Sequence, residues 1–258
     1  MHTITEAPTA LYVITPSLVF FRICFVAVRR FVPIPKSLLQ SSSRKQWMYH
    51  NTLVSLVHSG LSSCLVLYCF YDDPAMVYDM IHRWSMLSFY VVCFSADGFI
   101  ATCFCFTGYF IHDFFDVLLH DLRNSPGLLF HHVLSCMACT FTTFSQLYLA
   151  FPTGCLLLEV NSIPLHLRRI MRYHQIDRSS LLYRFNLAIL LITFVIFRFI
   201  PVSFMEIYVI LHGQDQYLPC YLFGVFGLGG MVVVNVVLFL SLFNAEFGRD
   251  KNPKLENT

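Results

Sequence analysis

Long apolar runs with few charges in them restrict this 258-residue chain more than anything else in its sequence. A helix crossing a hydrocarbon core about 30 Å thick uses about 20 consecutive, mostly apolar residues. Runs of that character fall at about 10–28, 51–71, 85–111, 127–151, 153–167, 185–211 and 219–243. Charged residues make up only 12% of the chain, against about 25% in soluble domains, which is too few for a water-facing shell. The expectation is therefore an all-α, polytopic membrane protein with about seven spans, short loops and no sizeable soluble domain. The fifth run is short and follows the fourth through Pro152, Thr153 and Gly154, which predicts a tight helical hairpin at those residues.

Loop charges give an independent test of the span count. The first run has no Lys or Arg before it and no clear small-residue cleavage site, and Arg29 and Arg30 follow it. It reads as a retained anchor with the N-terminus outside. Arg22 and Arg198 lie inside apolar runs; of the other Lys and Arg among the 17, all but Arg83 then fall on the cytosolic side. One span more or fewer would scramble that partition, so the C-terminus is expected in the cytosol. The tail carries no lipidation box and no lysine pair at a retrieval position, which permits residence beyond the endoplasmic reticulum. A net charge of +2 gives no reason to expect a nucleic-acid partner. All ten cysteines except Cys220 sit inside apolar runs, and Cys220 opens one. The single C-x-x-C, Cys136 with Cys139, has no second pair, so cysteine reads as a small apolar side chain rather than a zinc ligand.

Ionisable groups within a bilayer cost several kcal/mol unless they are paired, wetted or used. This chain keeps many of them in or at the ends of its runs, which predicts a polar cavity inside a bundle. His112 and Asp116 are four apart and share a helix face if the third helix continues past Ile111, with Asp113 beside them. His131 and His132 open the fourth run after a short loop, at a similar depth. Carboxylates there can orient and charge-stabilise an imidazole acting as base or nucleophile. Capping of helix ends is the competing reading. Glu159, Ser162 and His166 follow helical spacing near Asn161, and Arg168 and Arg169 then sit at a cytosolic mouth where a lipid or coenzyme A phosphate can dock. Fixing topology is the simpler role for those arginines. Arg198 sits too deep to snorkel and is expected to pair with Glu159, Asp97 or Glu206. Asn51, Ser55, His58 and Ser59 form a stripe that either faces the cavity or bonds a neighbouring helix. No G-x-S-x-G, H-E-x-x-H, phosphate-cradling glycine loop or multi-histidine iron box is present, and no metal is expected. Gly224, Gly227, Gly229 and Gly230 read as close-packing positions.

The order Trp47, Asn51, Ser55, His58-Ser59, then Gly108-Tyr109-Phe110-x-x-Asp113-x-x-Asp116, then His131-His132, resembles the TLC (TRAM, Lag and CLN8) domain family. Leu158-Glu159-Val160-Asn161-Ser162, Leu165-His166-Leu167-Arg168 and Phe197-Arg198-Phe199-Ile200-Pro201 are similar to the animal subfamily of TLC domain-containing proteins one and two. The resemblance implies an N-terminal transmembrane helix and basic linker at 1–43, a six-helix TLC bundle at 44–243 and a polar tail at 244–258. It implies a regulator of membrane phospholipid acyl composition and fluidity that limits polyunsaturated chains in phospholipids such as phosphatidylethanolamine. It also implies placement at the plasma membrane, with the endoplasmic reticulum as alternative. By analogy with ceramide synthases, His131 and His132 are the catalytic candidates, supported by Asp113 and Asp116. Glu159, Asn161, Arg168, Arg169, Arg198, Asn51 and His58 are the substrate-binding candidates. The acidic run that follows the ceramide-synthase histidines is replaced by Ser135-Cys136-Met137-Ala138-Cys139, which argues against sphingoid-base acylation.

Two classes remain open at this point: an acyltransferase using acyl-coenzyme A as co-substrate or a phospholipid, ceramide-synthase-like or otherwise, and a non-catalytic lipid-binding component. No bound cofactor is expected. Membrane lipids and partner membrane enzymes are the expected partners. A heptahelical receptor shares the topology but is weakened by the absence of a D-R-Y-like triplet after the third run, and no inverted repeat supports a transporter.

Overall fold

The computed structural model describes residues 7–83, 85, 106–145 and 147–248, and among these the regular structure is entirely helical. Two compact units divide the chain, the first ending at Thr193 and the second starting at Phe194. In the first unit lie α1 (Ala7–Phe31), α2 (Ser43–Asp72), α3 (Phe106–Asp121), α4 (Pro126–Ser145), α5 (Ala150–Leu156), α6 (Leu158–Tyr173) and all but the last residue of α7 (Leu181–Phe194). Most of the third predicted run, 86–105, lies outside the described residues, and so does Asp97.

The α2 helix is the hub of this unit. It packs chiefly on α6 and also meets α1, α3 and α5. Its buried face carries Thr52, Ser55, Ser59, Ser62 and Ser63 among apolar residues, and small side chains let helices approach closely. Four of the five hydroxyls find an acceptor within the helix: Thr52 bonds Met48 O, Ser55 bonds Asn51 O, Ser62 bonds His58 O and Ser63 bonds Ser59 O, at 2.6–2.9 Å. Back-bonding of this kind lets a polar face be buried without a partner on every hydroxyl.

At Gly108 the approach of α3 to α1 is tightest. A Cβ built there would lie 2.5 Å from Ser17 Cβ and 2.8 Å from the backbone nitrogen of Leu18. Neither obstacle is the flexible end of a side chain, so Gly108→Ala must push the two helices apart. Overpacking of this sort costs about 1–3 kcal/mol. Thermal unfolding in detergent is expected to shift downward, and Ser17→Gly should restore part of the loss; an unshifted transition for the single variant would contradict this packing.

The predicted hairpin at Pro152, Thr153 and Gly154 is not where the chain turns. Those residues are buried inside α5, and Pro152 occupies the first helical turn, where a missing N–H costs nothing. The α4 helix stops at Ser145 and the turn lies upstream of the proline. There Tyr148 takes a positive φ of 63° and donates its N–H to Ile81 O at 2.8 Å. Only Leu157, itself helical, separates α5 from α6, and α6 continues to Tyr173. Arg168, Arg169 and Arg172 are therefore helical residues rather than loop residues.

Beyond the apolar runs, Asp121 ties the α3–α4 turn to the start of α2. It accepts from Arg44 at 2.6 and 2.7 Å, from Ser125 at 2.7 Å and from Asn124 at 2.9 Å. Burial pushes its carboxyl upward, but these donors outweigh burial and hold it below the usual carboxylate range. A carboxylate with a depressed folded value stabilises fully above its unfolded value of about 3.9 and loses that contribution as pH falls through the folded value. Below about pH 4 the wild type is therefore expected to lose melting temperature more steeply than Asp121→Asn. Parallel acid slopes in thermal scans would contradict this linkage.

The second unit holds a π-helical turn at Val195–Phe199, then α8 (Ile200–Leu211) and α9 (Leu218–Phe247). Arg198 meets Asn235, a Cβ on Gly229 would meet Glu206, and one on Gly224 would meet Val209. Each advance along α8 matches a retreat along α9, so the two form an antiparallel hairpin. The π turn ends two residues before Pro201, whose ring and missing N–H disrupt the regular ladder in the preceding turn. Among the described residues, the helical stretches Ser43–Asp72, Leu181–Leu211 and Leu218–Phe247 are long and apolar enough to cross a membrane. They coincide with the second, sixth and seventh predicted runs. The chain is an all-helical, multi-pass membrane protein.

Candidate functional site

The α3 helix runs from 106 to 121, past Ile111, so His112, Asp113 and Asp116 share one helix. All three side chains are buried. Asp113 is the centre. Its Oδ2 lies 2.7 Å from His132 Nε2 on α4, and both side chains are 3% exposed. Its Oδ1 accepts from Asn51 Nδ2 on α2 at 2.8 Å. Two neighbouring helices, α2 and α4, thus deliver one group each to a single buried carboxylate on α3. A carboxylate sealed from water needs such donors, and an imidazole whose Nε2 faces a carboxylate is fixed in ring orientation.

The two histidines separate in environment. His132 is 3% exposed, whereas His131, next in sequence, is half-buried with its ring edge-on to Phe110 at 5.8 Å. Adjacent residues on a helix point about 100° apart, so only one of the pair can meet Asp113. The Oδ1 atom of Asp116 pairs with Arg22 Nη1 of α1 at 3.5 Å. The guanidinium of Arg22 also lies 5.5 Å from the Phe25 ring centroid. The sequence shows Arg22 as a charge inside an apolar run without indicating its partner; an intramembrane cation is itself the signal that an acid must lie nearby.

His58 is 1% exposed and stacks on Tyr109, centroids 3.5 Å apart at 11°. Asp113, His132, His166 and His131 all lie within its electrostatic reach. Tyr109 belongs to the Gly108-Tyr109-Phe110 segment, and its stacking role was not legible in the sequence. On the next residue of α2, Ser59 Oγ donates to Glu159 Oε2 of α6 at 2.6 Å. The Asn51, Ser55, His58 and Ser59 stripe thereby faces the acid–imidazole cluster and also bonds neighbouring helices.

Other candidates fall elsewhere. Asn161, fully buried, donates to Leu190 O and to Thr193 Oγ1, both at 2.9 Å, and Asn186 returns a bond to Pro164 O at 3.0 Å. These amides stitch α6 to α7. Arg168 is buried and Arg169 exposed, so the two do not share a surface. Arg198 belongs to the second unit, where its Nη1 donates to Asn235 Oδ1 at 3.0 Å and its guanidinium lies 5.4 Å from the Phe194 ring. Among the described residues, no three His, Cys, Asp or Glu side chains converge as a metal-binding group.

The comparisons agree with the architecture. Residues 48–244 match the TLC domain. A zebrafish (Danio rerio) TLC domain-containing protein 2 is 32% identical over 224 residues, covering 86% of this chain and 85% of that protein. The human TLC domain-containing protein 2 is 31% identical over 90% of this chain and 80% of its own length. Human TLC domain-containing protein 1 is 28% identical, with 97% of both chains covered. With the domain spanning most of its length and relatives similar from end to end, this chain belongs to the TLC domain family, whose membership points to a role connected with membrane lipids.

Proposed function

We propose that this protein regulates the acyl composition and fluidity of membrane phospholipids, limiting polyunsaturated chains in lipids such as phosphatidylethanolamine, and that it does so by histidine-dependent acyl transfer. The observation that carries this reading is the buried His132–Asp113 pair at 2.7 Å, held in place by Asn51. A neutral imidazole that gives its Nε2 proton to Asp113 keeps a lone pair on Nδ1. That nitrogen removes the proton from the attacking group of the acceptor lipid as it adds to the thioester carbonyl of acyl-coenzyme A. The protonated ring then returns the proton to the departing sulfur, giving acylated lipid and free coenzyme A. Asp113 stabilises the imidazolium between the two steps. Arg168 or Arg169, near the cytosolic end of α6 in the expected topology, meets the donor's phosphate, and the protein acts at the plasma membrane.

Two measurements test this. Purified protein supplied with labelled acyl-coenzyme A and lysophospholipid should transfer label. Cells lacking the protein should regain their normal phospholipid profile with wild type but not with His132→Ala. Label transfer that persists in His132→Ala overturns the catalytic assignment. A non-catalytic, lipid-binding role is the outcome if His132→Ala still rescues the cellular profile.

A further inference from the structure

Around Asp113 several buried polar atoms have no hydrogen-bond partner among the described residues: Asn51 Oδ1, Asp116 Oδ2, His132 Nδ1 and both ring nitrogens of His112. Asn51 and His132 each hold Asp113 with their other polar atom, so Oδ1 and Nδ1 lie one side-chain group's width beyond the same carboxylate. Asp116 sits one turn along α3 on the same side, its other oxygen turned to Arg22. His112 precedes Asp113, is 5% exposed and has the Phe25 ring 6.2 Å away. Leaving one buried polar group without a partner costs about 1–3 kcal/mol, so a cluster of them indicates a place prepared for something else.

Their polarity says what that is. An amide oxygen and a carboxylate oxygen accept only, and Nδ1 of a neutral His132 bonded through Nε2 accepts as well. His112 adds one acceptor in either neutral tautomer. Acceptors outnumber donors, with four acceptor atoms against the single N–H of His112, and Arg22 Nη1 is engaged with Asp116. We propose that this cluster binds the hydrogen-bond-donating group of a membrane lipid, a free hydroxyl or a primary ammonium, and that His112 is a specificity-determining residue for it. An ester or a quaternary ammonium offers no hydrogen to these atoms and is rejected. The inference rests on the acyl-transfer reading only in identifying the acceptor half of that reaction; binding itself needs no turnover.

The test uses the purified full-length chain in maltoside micelles, with bound lipid quantified by native mass spectrometry against two matched pairs. Lysophosphatidylcholine and its 2-O-methyl ether differ by one hydroxyl hydrogen. Dioleoylphosphatidylethanolamine and dioleoylphosphatidylcholine differ in the ammonium hydrogens. At least one pair should show about a tenfold preference for the donor-bearing lipid, the effect of one buried hydrogen bond. Preference within the first pair assigns a hydroxyl, and within the second an ammonium. Preferences below twofold in both pairs overturn the proposal. His112→Phe, which sacrifices no hydrogen bond and should fold at least as stably, is expected to reduce the tenfold preference to below threefold; undiminished preference in that variant overturns the role of His112. Donor selectivity without acyl transfer would uphold this site and reject the catalytic reading, and acyl transfer without selectivity would do the reverse.

Discussion

Asp113→Ala is expected to lower the unfolding free energy by about 3–5 kcal/mol, because removing one partner of a buried pair strands the other. Here it strands two: His132 Nε2 and Asn51 Nδ2 both lose their acceptor inside the bundle. Asp113→Asn separates that structural loss from the chemistry. An asparagine oxygen can still accept from Asn51, while its amide nitrogen faces His132 Nε2 and donates to it. The fold is kept, but the imidazole must change tautomer, and Nδ1 now carries the proton. A base presented in that form cannot accept one. The same exchange behind the catalytic imidazole of serine proteases lowers turnover by about 10⁴. The expected pattern is therefore a near-normal melting temperature with label transfer reduced by about 10³–10⁴ for Asp113→Asn, and a large loss of stability for Asp113→Ala. Equal melting temperatures for Asp113→Ala and wild type would mean that Asp113 is not the anchor described.

His132→Ala and His131→Ala should differ sharply although the residues are neighbours. His132 is sealed and bonded to Asp113, and loss of a positioned general base typically costs about 10²–10⁴ in rate. His131 is half-buried beside Phe110, and its replacement should change transfer by less than about tenfold. Rates measured on reconstituted protein, normalised to folded fraction, provide the check. If His131→Ala were the more damaging of the two, the working imidazole would have been assigned to the wrong helix face. On the proposed mechanism Asp113 and His132 act as a unit, so the double variant Asp113→Asn with His132→Ala should be little worse than His132→Ala alone.

Much of this site could be read before any coordinates. Intramembrane acids and histidines are conspicuous because lipid makes them expensive, so His112, Asp113, Asp116, His131 and His132 stood out by type and by spacing. Helical periodicity correctly joined His112 to Asp116 through a helix continuing past Ile111. Partner choice was not readable. Spacing made Asp116 as good a support for the histidine pair as Asp113, and only packing assigned Asp113 to His132 and Asp116 to Arg22. Asn161 shows the same limit. By type it belonged with the polar cavity residues, yet its amide is spent on Leu190 O and Thr193 of α7. The turn between α4 and α5 was misplaced because Pro152 and Gly154 are ordinary turn residues, but a proline is also at home in a first helical turn. Tyr148 takes the left-handed conformation instead, bonded to Ile81, a contact distant in sequence.

The sequence by itself determined the solvent this protein folds in and the secondary structure that follows. Hydrocarbon supplies no hydrogen bonds, so a chain this apolar must satisfy its backbone within helices, and residues that violate apolarity must find one another. Only the tertiary structure decided which ones meet. Hydrogen bonds and ion pairs between helices depend on rotation and depth to within about 1 Å, and helical periodicity fixes neither across separate helices. The side chains that close that gap, Gly108 against Ser17 and Asn51 reaching Asp113, are set by contacts scores of residues apart in the chain.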